Sequence, residues 1–226
     1  MKVLVEHDEG DRRVRVVELK DTGARLYYED GALYTHVDVA GDNLLDYVAA
    51  MDDALASPAS VLLLGTAGGA LATLLSRRGA KVTAVDNWQT AFDIARRWFH
   101  LPSTVKCVKA DAMAFLRSTS GQWDAIAVDV FRGVKIPDAM LTSDIGALLA
   151  KAMRPGGVIV WNVADTPTSW PAQWIVRALR LSGFSPSMIP VMDGDVGNTL
   201  IVCRDTRRLA ASAQEDAPAD GRATVG

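Results

Sequence analysis

The stretch at residues 61–86, VLLLGTAGGALATLLSRRGAKVTAVD, constrains the fold of this chain more than any other. An apolar run at residues 61–64 leads into a glycine turn at residues 65–69, an apolar helix follows, and a second strand ends on Asp86. Such a turn lets backbone N–H groups at a helix N-terminus approach a ligand, and an acid about 20 residues later can accept hydrogen bonds from both hydroxyls of a ribose. The pattern predicts a nucleotide site at the start of a parallel sheet and leaves open which nucleotide it takes.

The composition is typical of a soluble globular protein and argues against several classes of function. Of 226 residues, 49% are hydrophobic and 23% charged, and the net charge of -3 offers no basic face for nucleic acid. No apolar run approaches the 18 or so residues of a membrane span, and acidic residues soon after the N-terminus argue against a signal peptide. The three histidines are scattered, so no metal site is predicted. Cys107 and Cys203 fall inside predicted strands, as expected of buried thiols in a reducing cytoplasm.

Residues 1 to about 40 read as a small antiparallel β meander. Short runs rich in apolar, β-branched and aromatic residues alternate with turn signals, among them Asp8-Glu9-Gly10-Asp11 and Glu29-Asp30-Gly31. Asp42 is then the predicted cap of a helix over residues 43–55, with one apolar face formed by Leu44, Val48, Met51 and Leu55. Residues 1–57 are therefore expected to form an N-terminal unit, which ends at Ser57-Pro58.

Residues 58–204 are expected to form one α/β domain. After Asp86, strands at residues 105–108, 123–129 and 158–162 alternate with helical patterns, and a Pro-Gly-Gly turn at residues 154–157 precedes the last of these strands. The alternation of strands and helices then ends, because residues 185–191 and 198–204 are two predicted strands joined without a helix. They predict a hairpin around Asp193 and Asp195 whose last strand runs antiparallel to its neighbours. Residues 205–226 lack an apolar stripe and are predicted to be a disordered tail.

A dehydrogenase would share the opening unit, but three later features favour another class. The final hairpin, the Pro-Gly-Gly turn and the acid Asp111 after the third strand together resemble a class I S-adenosylmethionine-dependent methyltransferase over residues 60–204. More narrowly, the chain resembles the spermidine synthase group within that fold. The motifs that carry this likeness are Gly65-Thr66-Ala67-Gly68-Gly69-Ala70-Leu71-Ala72, Ala95-Arg96-Arg97-Trp98-Phe99, Ala110-Asp111-Ala112 and Trp123-Asp124-Ala125-Ile126-Ala127-Val128-Asp129. The resemblance implies a Rossmann-like, mostly parallel seven-stranded sheet with a C-terminal antiparallel hairpin, preceded by the meander.

The chain also departs from the spermidine synthase pattern. In that family the fourth strand is followed by Asp-Ser-Ser-Asp-Pro or a close variant, whereas this chain has Asp129-Val130-Phe131-Arg132. The family's meander glutamine aligns with Tyr34, and its Tyr-His-Glu on the first helix aligns with Tyr47-Val48-Ala49. Each hydrogen bond to a charged group contributes about 1.5–3 kcal/mol, so a diamine would lose much of its compensation here. These departures put putrescine in doubt as the substrate.

The resemblance implies a site for S-adenosylmethionine or its decarboxylated form. Its expected ligands are Gly65, Thr66, Ala67, Gly68, Gly69, Asp86, Asn87, Asp111 and Ala112. In each case a plainer role stays open: a tight turn for the glycines, a solvated strand end for Asp86, and a helix cap for Asp111. Trp88 could stack on the adenine or pack in the core. Packing is favoured for most of the six tryptophans.

Asp129 is the residue most expected to carry chemistry, because it lies at the C-terminal end of the fourth strand, where ligands bind in open α/β sheets. A carboxylate there can orient an amine and take its proton, although a structural role in the following loop is the alternative. Asn162, at the end of the fifth strand, could close the far side of the pocket, and a role in the turn is the alternative. Tyr34 and Tyr47 are the expected substrate contacts.

The functional prediction is transfer of an alkyl group from an adenosyl sulfonium to a small acceptor, an amine, with methyl slightly favoured. A true aminopropyltransferase using the decarboxylated cofactor and a non-catalytic nucleotide-binding scaffold are the alternatives. Relatives of this group commonly pair through the N-terminal region, which implies a homodimer.

Overall fold

The computed structural model describes residues 1–10, 12–193 and 196–205. The strands are β1 (Lys2–Glu9), β2 (Arg12–Glu18), β3 (Arg25–Glu29), β4 (Ala32–Val37), β5 (Ser60–Leu64), β6 (Lys81–Asp86), β7 (Lys106–Lys109), β8 (Trp123–Val128), β9 (Met153–Val163), β10 (Ser187–Asp193) and β11 (Val196–Arg204). The helices are α1 (Asp46–Leu55), α2 (Ala70–Arg77), α3 (Gln89–Trp98), α4 (Ala112–Ser118), α5 (Ile145–Ala152) and α6 (Trp170–Leu181), with a 3₁₀ turn at Asp138–Met140.

The larger sheet has seven strands in the order β10-β11-β9-β8-β5-β6-β7. β9, β8, β5, β6 and β7 pair in parallel, whereas β11 runs antiparallel to β9 and to β10. The predicted fold, including the closing hairpin, is confirmed. The chain moves from β5 outward to β6 and β7 and then returns to β8 on the other side of β5. The carboxyl ends of β5 and β8 therefore form the topological switch point at which open α/β sheets bind ligands.

Alternating side chains of the central strands bury both faces of this sheet. Val61 and Leu63 of β5 face α1, α2, α3 and the meander, whereas Leu62 and Leu64 face α4, α5 and α6. All four side chains are buried, which explains why the sequence of this strand is continuously apolar. Helices on both faces shield the sheet and leave its carboxyl edge for the connecting loops.

The smaller sheet is an antiparallel meander in the order β1-β2-β3-β4, as predicted. The helix after it begins later than expected. Leu45 precedes its first turn, and Asp42 instead forms an ion pair with Arg77. Because the helix starts at Asp46, Leu44 falls outside it and is 47% exposed, while Val48, Met51 and Leu55 are buried as predicted.

The meander and α1 share one hydrophobic core with a face of the larger sheet. Val14 and Tyr27 of the meander and Met51 of α1 belong to the same buried cluster as Leu63 of β5. The boundary expected between residues 57 and 58 stays a prediction, since the two parts pack together. This packing places the meander beside the carboxyl edge of the larger sheet.

The predicted Pro-Gly-Gly turn is an irregularity inside β9 rather than a separate turn. Trp123 of β8 pairs with Met153, but Ala125 already pairs with Val158, so residues 154–157 bulge out of the ladder. A Cβ at residue 157 would lie 2.6 Å from the Met153 side chain, so this bulge requires a glycine at that position.

The hairpin loop and the tail are described only in part. Asp11 in its predicted turn, residues 194–195 of the predicted hairpin loop and residues 206–226 of the predicted tail lie outside the described residues. Asp205, placed in the tail by the sequence, is instead buried, and its backbone N–H donates to the Gly157 carbonyl at 2.9 Å. Cys107 and Cys203 are free thiols on β7 and β11; Cys203 is buried as predicted, whereas Cys107 is only half-buried.

Candidate functional site

The loops after β5 and β8 meet at the switch point and form one wall of a cavity. Gly65 has φ of 85°, and a Cβ there would lie only 2.1 Å from the Asp129 carbonyl oxygen. Gly65 N–H donates to Val85 (2.9 Å), and Asp129 N–H donates to Leu64 (2.8 Å). Only glycine allows both the left-handed backbone and this close approach. The first glycine of the turn therefore brings the nucleotide-type loop directly against the candidate catalytic loop.

The other residues of the glycine turn have two roles: some line the cavity, and others pack against neighbouring elements. Thr66 and Ala67 line the cavity with Gly65. Gly68 instead faces the meander, where its N–H donates to Thr35 Oγ1 at 3.1 Å. Gly69, in left-handed conformation, is the N-cap of α2. Gly68 and Gly69 shape the turn and dock it on its neighbours, and their contact with a ligand stays a prediction.

Asp86 lies at the end of β6 and is held by the turn that it faces. Its Oδ2 accepts from Thr66 N–H and its Oδ1 from Trp88 N–H, both at 3.0 Å. Burial raises the pKa of the Asp86 carboxyl, and these backbone donors oppose the rise. The alternative of a solvated strand end does not hold, because the side chain is half-buried and lines the cavity. The arrangement presents a fixed, partly desolvated carboxylate to a ligand.

Asp111 and Ala112 lie at the start of α4, on the side of the cavity reached by β7. Both line the cavity, and Asp111 also caps the helix, with Oδ1 accepting from Ala114 N–H at 2.9 Å. Asp111 therefore has the structural role of a helix cap. It leaves the carboxylate at the cavity wall beside the Ala112 backbone.

Asp129 follows β8 and is the half-buried acid on the opposite side of the cavity. Asn162 of β9 donates from Nδ2 to Asp129 Oδ1 at 2.8 Å. Burial raises the pKa of the Asp129 carboxyl to about 6, and the hydrogen bond from Asn162 opposes that rise. The carboxyl group is therefore ionised at neutral pH but titrates close to it, which suits a general base.

Tyr34 and Tyr47 form the wall next to Asp129. The Tyr34 hydroxyl donates to the Gly133 carbonyl at 2.7 Å, and the Tyr47 hydroxyl donates to the Tyr34 carbonyl at 3.1 Å. Burial raises the pKa of both phenols above the usual range, so both stay neutral. Their hydroxyls are committed to backbone acceptors, and the two side chains present mainly aromatic surface to the cavity.

Two cavity residues from the meander were not singled out by the sequence. Arg12 and Glu29 form an ion pair, Nε to Oε1, at 3.1 Å, with side chains 18% and 7% exposed. Arg12 also donates to Asn87 Oδ1 at 3.2 Å and lies 5.0 Å from the centre of the Trp88 ring. The sequence assigns Glu29 to a turn, whereas the structure places it at the end of β3 with 5% exposure, so no local signal marked it as a cavity residue. The pair ties the meander to the loop after β6.

Trp88 belongs to this contact between the meander and the larger sheet. Its Nε1 donates to Glu9 Oε2 at 2.9 Å, and its ring lies 5.2 Å from that of His7. These contacts lie outside the cavity lining. The packing role weighed for Trp88 is therefore the one that the structure contains.

Neither a membrane-spanning helix nor a metal cluster emerges from the described ranges 1–10, 12–193 and 196–205. Across these ranges no helix has the length and apolar character required to cross a membrane. The same ranges contain no group of three or more His, Cys, Asp or Glu side chains arranged to hold a metal ion.

Comparison with known proteins shows which proteins this chain resembles. A family model described as a methyltransferase domain matches residues 62–161. A polyamine aminopropyltransferase of Chromobacterium violaceum is 33% identical over 144 residues, which cover 62% of this chain and 51% of that protein. A probable polyamine aminopropyl transferase of Bifidobacterium longum is 31% identical over 120 residues, or 50% of this chain and 27% of that protein. The chain thus spans about half or less of the length of these curated relatives.

The fold agrees with a solved spermidine synthase. The crystal structure of a spermidine synthase in complex with the transition-state analogue AdoDATO superimposes with a TM-score of 0.74 at 14% identity, covering 90% of this chain and 73% of that one. The chain therefore has the class I S-adenosylmethionine-dependent methyltransferase fold. Within that class the chain is spermidine synthase-like, and the resemblance stated from the sequence is confirmed.

Proposed function

We propose that this chain binds an adenosyl sulfonium, S-adenosylmethionine or its decarboxylated form, and transfers an alkyl group from it to a small amine. The observation that carries the proposal is the placement of Asp129, a half-buried acid, in the same cavity as the glycine turn and Asp86. The curated relatives named as aminopropyltransferases and the matching methyltransferase model support a reaction of this class.

The residues present fit such a ligand. Gly65 lacks a Cβ where one would close the turn onto Asp129, and Asp86 offers a fixed carboxylate to a ribose. Thr66 lines the same cavity, and its buried Oγ1 finds no hydrogen-bond partner among the described residues. An orphaned hydroxyl in the wall is expected where a ligand completes the hydrogen bonding.

Asp129 has a defined part in the chemistry. A bound sulfonium would supply an electrophilic carbon: the amine lone pair would form the C–N bond as the C–S bond broke and its electron pair passed to sulfur. The new ammonium then carries one proton too many, and Asp129 accepts it. Before that step the carboxylate orients the amine nitrogen, and fixed orientation of this kind lowers the barrier further. Asn162 donates a hydrogen bond to the carboxylate, and Tyr34 and Tyr47 line the cavity beside it.

Methyl transfer is the first candidate and aminopropyl transfer the second. A diamine needs an acid for its distal ammonium, but Arg132 lines the cavity where the spermidine synthase pattern has its second acid. The names of the two curated relatives favour aminopropyl transfer. A non-catalytic nucleotide-binding role is the third reading. Pairing of two copies through the meander and a cytoplasmic location belong to the proposal as well.

Ligand-induced stabilisation distinguishes these readings. A ligand present at 100 times its Kd adds about 2.7 kcal/mol of stability, so thermal shifts can rank S-adenosylmethionine, its decarboxylated form, methylthioadenosine and a nicotinamide dinucleotide. We expect the sulfonium ligands to raise Tm more than the dinucleotide. A clear preference for the decarboxylated form would select aminopropyl transfer, and a larger shift with the dinucleotide would overturn the proposal.

Turnover is tested with Asp129→Asn on a panel of amines, with product identified by mass. We expect the variant to lose about 10²–10⁴-fold in kcat while its affinity for the sulfonium ligand stays near that of the wild type. Wild-type binding without transfer to any amine would leave the non-catalytic reading. Equal turnover by wild type and variant would remove Asp129 from the chemistry.

A further inference from the structure

Three polar side chains form a row across neighbouring strands at the carboxyl edge of the larger sheet. Asn198 of β11 donates from Nδ2 to Asn162 Oδ1 at 2.9 Å, and Asn162 donates from Nδ2 to Asp129 Oδ1 at 2.8 Å. Asn162 is only 2% exposed, so protein groups rather than water must satisfy its amide.

The register of the strands produces this row. Val128 of β8 pairs with Trp161 of β9, so Asp129 and Asn162 follow as neighbours. On the other side Asn162 pairs with Leu200 of β11. Asn198 lies two residues before Leu200 and therefore on the same face, at the diagonal distance that side chains can bridge.

The row has a direction that the chemistry of its groups dictates. An ionised carboxylate can only accept, so Asn162 must turn its NH₂ group toward Asp129 and its oxygen toward Asn198. Asn198 in turn must offer its own NH₂ group, as it does. For the Asn162 amide to rotate by half a turn and accept from a protonated Asp129, the Asn198 amide would have to rotate with it, since otherwise two NH₂ groups would face each other at the Asn198 end.

We propose that Asn198 is a positioning residue for Asp129. By fixing which way the Asn162 amide faces, it keeps a hydrogen-bond donor on the carboxylate and disfavours the protonated acid. The part of this inference that concerns turnover rests on the proposed function; the part that concerns ionisation does not. Asn198 is not among the residues that line the cavity, so the C-terminal hairpin would tune the candidate base from outside it.

Other charged and titratable groups also face Asp129 and must be held constant in any test. Tyr34 of β4 and Tyr47 of α1 face it from the meander and the first helix, and both interact with its charge. The remaining such groups in the cavity lining are Arg12, Glu29, Asp86, Asp111 and Arg132. None of these is altered by a substitution at Asn198.

The test is a pH titration of the aspartate side-chain carboxyl ¹³C resonances of the full chain, with Asp129 assigned by its loss in Asp129→Asn. In Asn198→Leu the Asn162 amide is free to rotate and accept from the protonated acid. We expect the pKa of Asp129 to rise by about 1 unit, as partial loss of one charge-assisted hydrogen bond would give. Asn198→Ser, also neutral and too short to reach Asn162, serves as the second variant if the leucine disturbs folding.

The matched control is Thr199→Val on the same strand. Its hydroxyl donates to the Asp165 carbonyl at 2.7 Å rather than to a member of the row, so its loss should lower Tm and leave the Asp129 titration unchanged. If the chain turns over an amine, the acid limb of its pH profile should move with the carboxyl pKa in Asn198→Leu, while kcat well above that limb stays near wild type.

The outcomes separate this inference from the proposed function. A raised Asp129 pKa in the Asn198 variants but not in Thr199→Val supports the positioning role, even if no amine is ever turned over. An unchanged Asp129 pKa in folded Asn198→Leu and Asn198→Ser overturns it, whatever the activity. An equal rise in the Thr199→Val control would also overturn it, because a general loosening of β11 would then be sufficient.

Discussion

At the scale of single residues, Asp86 and Asp129 line one cavity but are held in different ways. Asp86 accepts from two backbone N–H groups, Thr66 and Trp88, whereas Asp129 accepts from one side-chain amide, that of Asn162. Burial raises the pKa of both carboxyls. The first arrangement gives a rigid acceptor suited to binding, and the second gives a carboxylate suited to exchanging a proton.

Asp86→Asn should weaken binding of the sulfonium ligand by about 10–100-fold, since one hydrogen bond to a charged group contributes about 1.5–3 kcal/mol. The new NH₂ group would also face a backbone N–H of the turn. Isothermal titration calorimetry measures the effect. The control is Asp93→Asn, which changes an exposed carboxylate on α3 and should bind as the wild type does. Equal affinity for both variants would exclude Asp86 from the site.

At the scale of elements, the glycine turn works by bringing two loops together. Gly65 and Gly79 both have left-handed backbones, with φ of 85° and 89°. A Cβ at Gly65 would lie 2.1 Å from the Asp129 carbonyl oxygen, whereas a Cβ at Gly79 would meet nothing within 4 Å. A comparison of alanine substitutions at Gly79 and Gly65 therefore distinguishes the cost of a left-handed backbone from the added cost of a steric clash.

Gly79→Ala should lower the free energy of unfolding by about 1–2 kcal/mol, the usual cost of a left-handed non-glycine residue. Gly65→Ala should cost more and also abolish ligand binding, because the loops after β5 and β8 must separate. Urea unfolding and thermal shift with S-adenosylmethionine measure the two effects. Similar losses in both variants, with binding retained, would contradict the account of the turn.

The meander is a second element that contributes directly to the site, through Arg12 and Glu29. Removing one partner of a largely buried ion pair typically costs about 3–5 kcal/mol, because the other charge stays buried. Arg12→Met should therefore destabilise by about 3 kcal/mol, and Arg12→Met with Glu29→Gln should recover most of that loss. Urea unfolding at neutral pH measures both variants.

The control for the ion pair lies one residue away. Arg13 pairs with Asp8 at 3.5 Å, with side chains 74% and 62% exposed. Exposed pairs contribute about 0–1 kcal/mol, so Arg13→Met should be nearly neutral. If the double variant at Arg12 and Glu29 were as unstable as the single one, burial of the unpaired Glu29 would not be the cause.

At the scale of the whole molecule, stability and the candidate chemistry oppose each other at Asp129. The pKa of its carboxyl is about 6 in the folded chain, against about 3.9 in an unfolded chain. Between these values the folded state holds the proton more tightly, so its contribution to stability is present at low pH and is lost as the pH rises toward 6. Keeping this acid ionised at neutral pH costs about 2–3 kcal/mol.

Asp129→Asn should therefore raise the free energy of unfolding at pH 7.5 by about 2–3 kcal/mol, with the gain disappearing near pH 4. Denaturant unfolding over this pH range measures the difference. The exposed carboxylate of Asp138 offers a control, since Asp138→Asn should stay within about 0.5 kcal/mol of wild type at both pH values. A constant difference between wild type and Asp129→Asn at all pH values would rule out the titration of Asp129 as its source.

Local pattern was enough to predict most of the elements of this fold. Apolar runs of β5 and β8, the glycine turn and the closing hairpin are properties of short segments, and each has the expected form. The placement of Asp86 and Asp129 on one cavity followed from their positions at strand ends, because parallel strands share a carboxyl edge. The helix start at Asp46 and the bulge before Val158 were missed, since capping and register depend on packing partners.

Other features of the site depend on contacts between distant parts of the chain. Arg12 and Glu29 reach the cavity because the meander packs on the larger sheet, and the Asn198–Asn162–Asp129 row exists because three strands are neighbours. No local pattern encodes such contacts, as each joins residues that are far apart in sequence. The order of residues thus determines that this chain forms a nucleotide-type turn with acids at its strand ends. Only the tertiary packing determines which distant side chains surround those acids, and hence how tightly each one holds its proton.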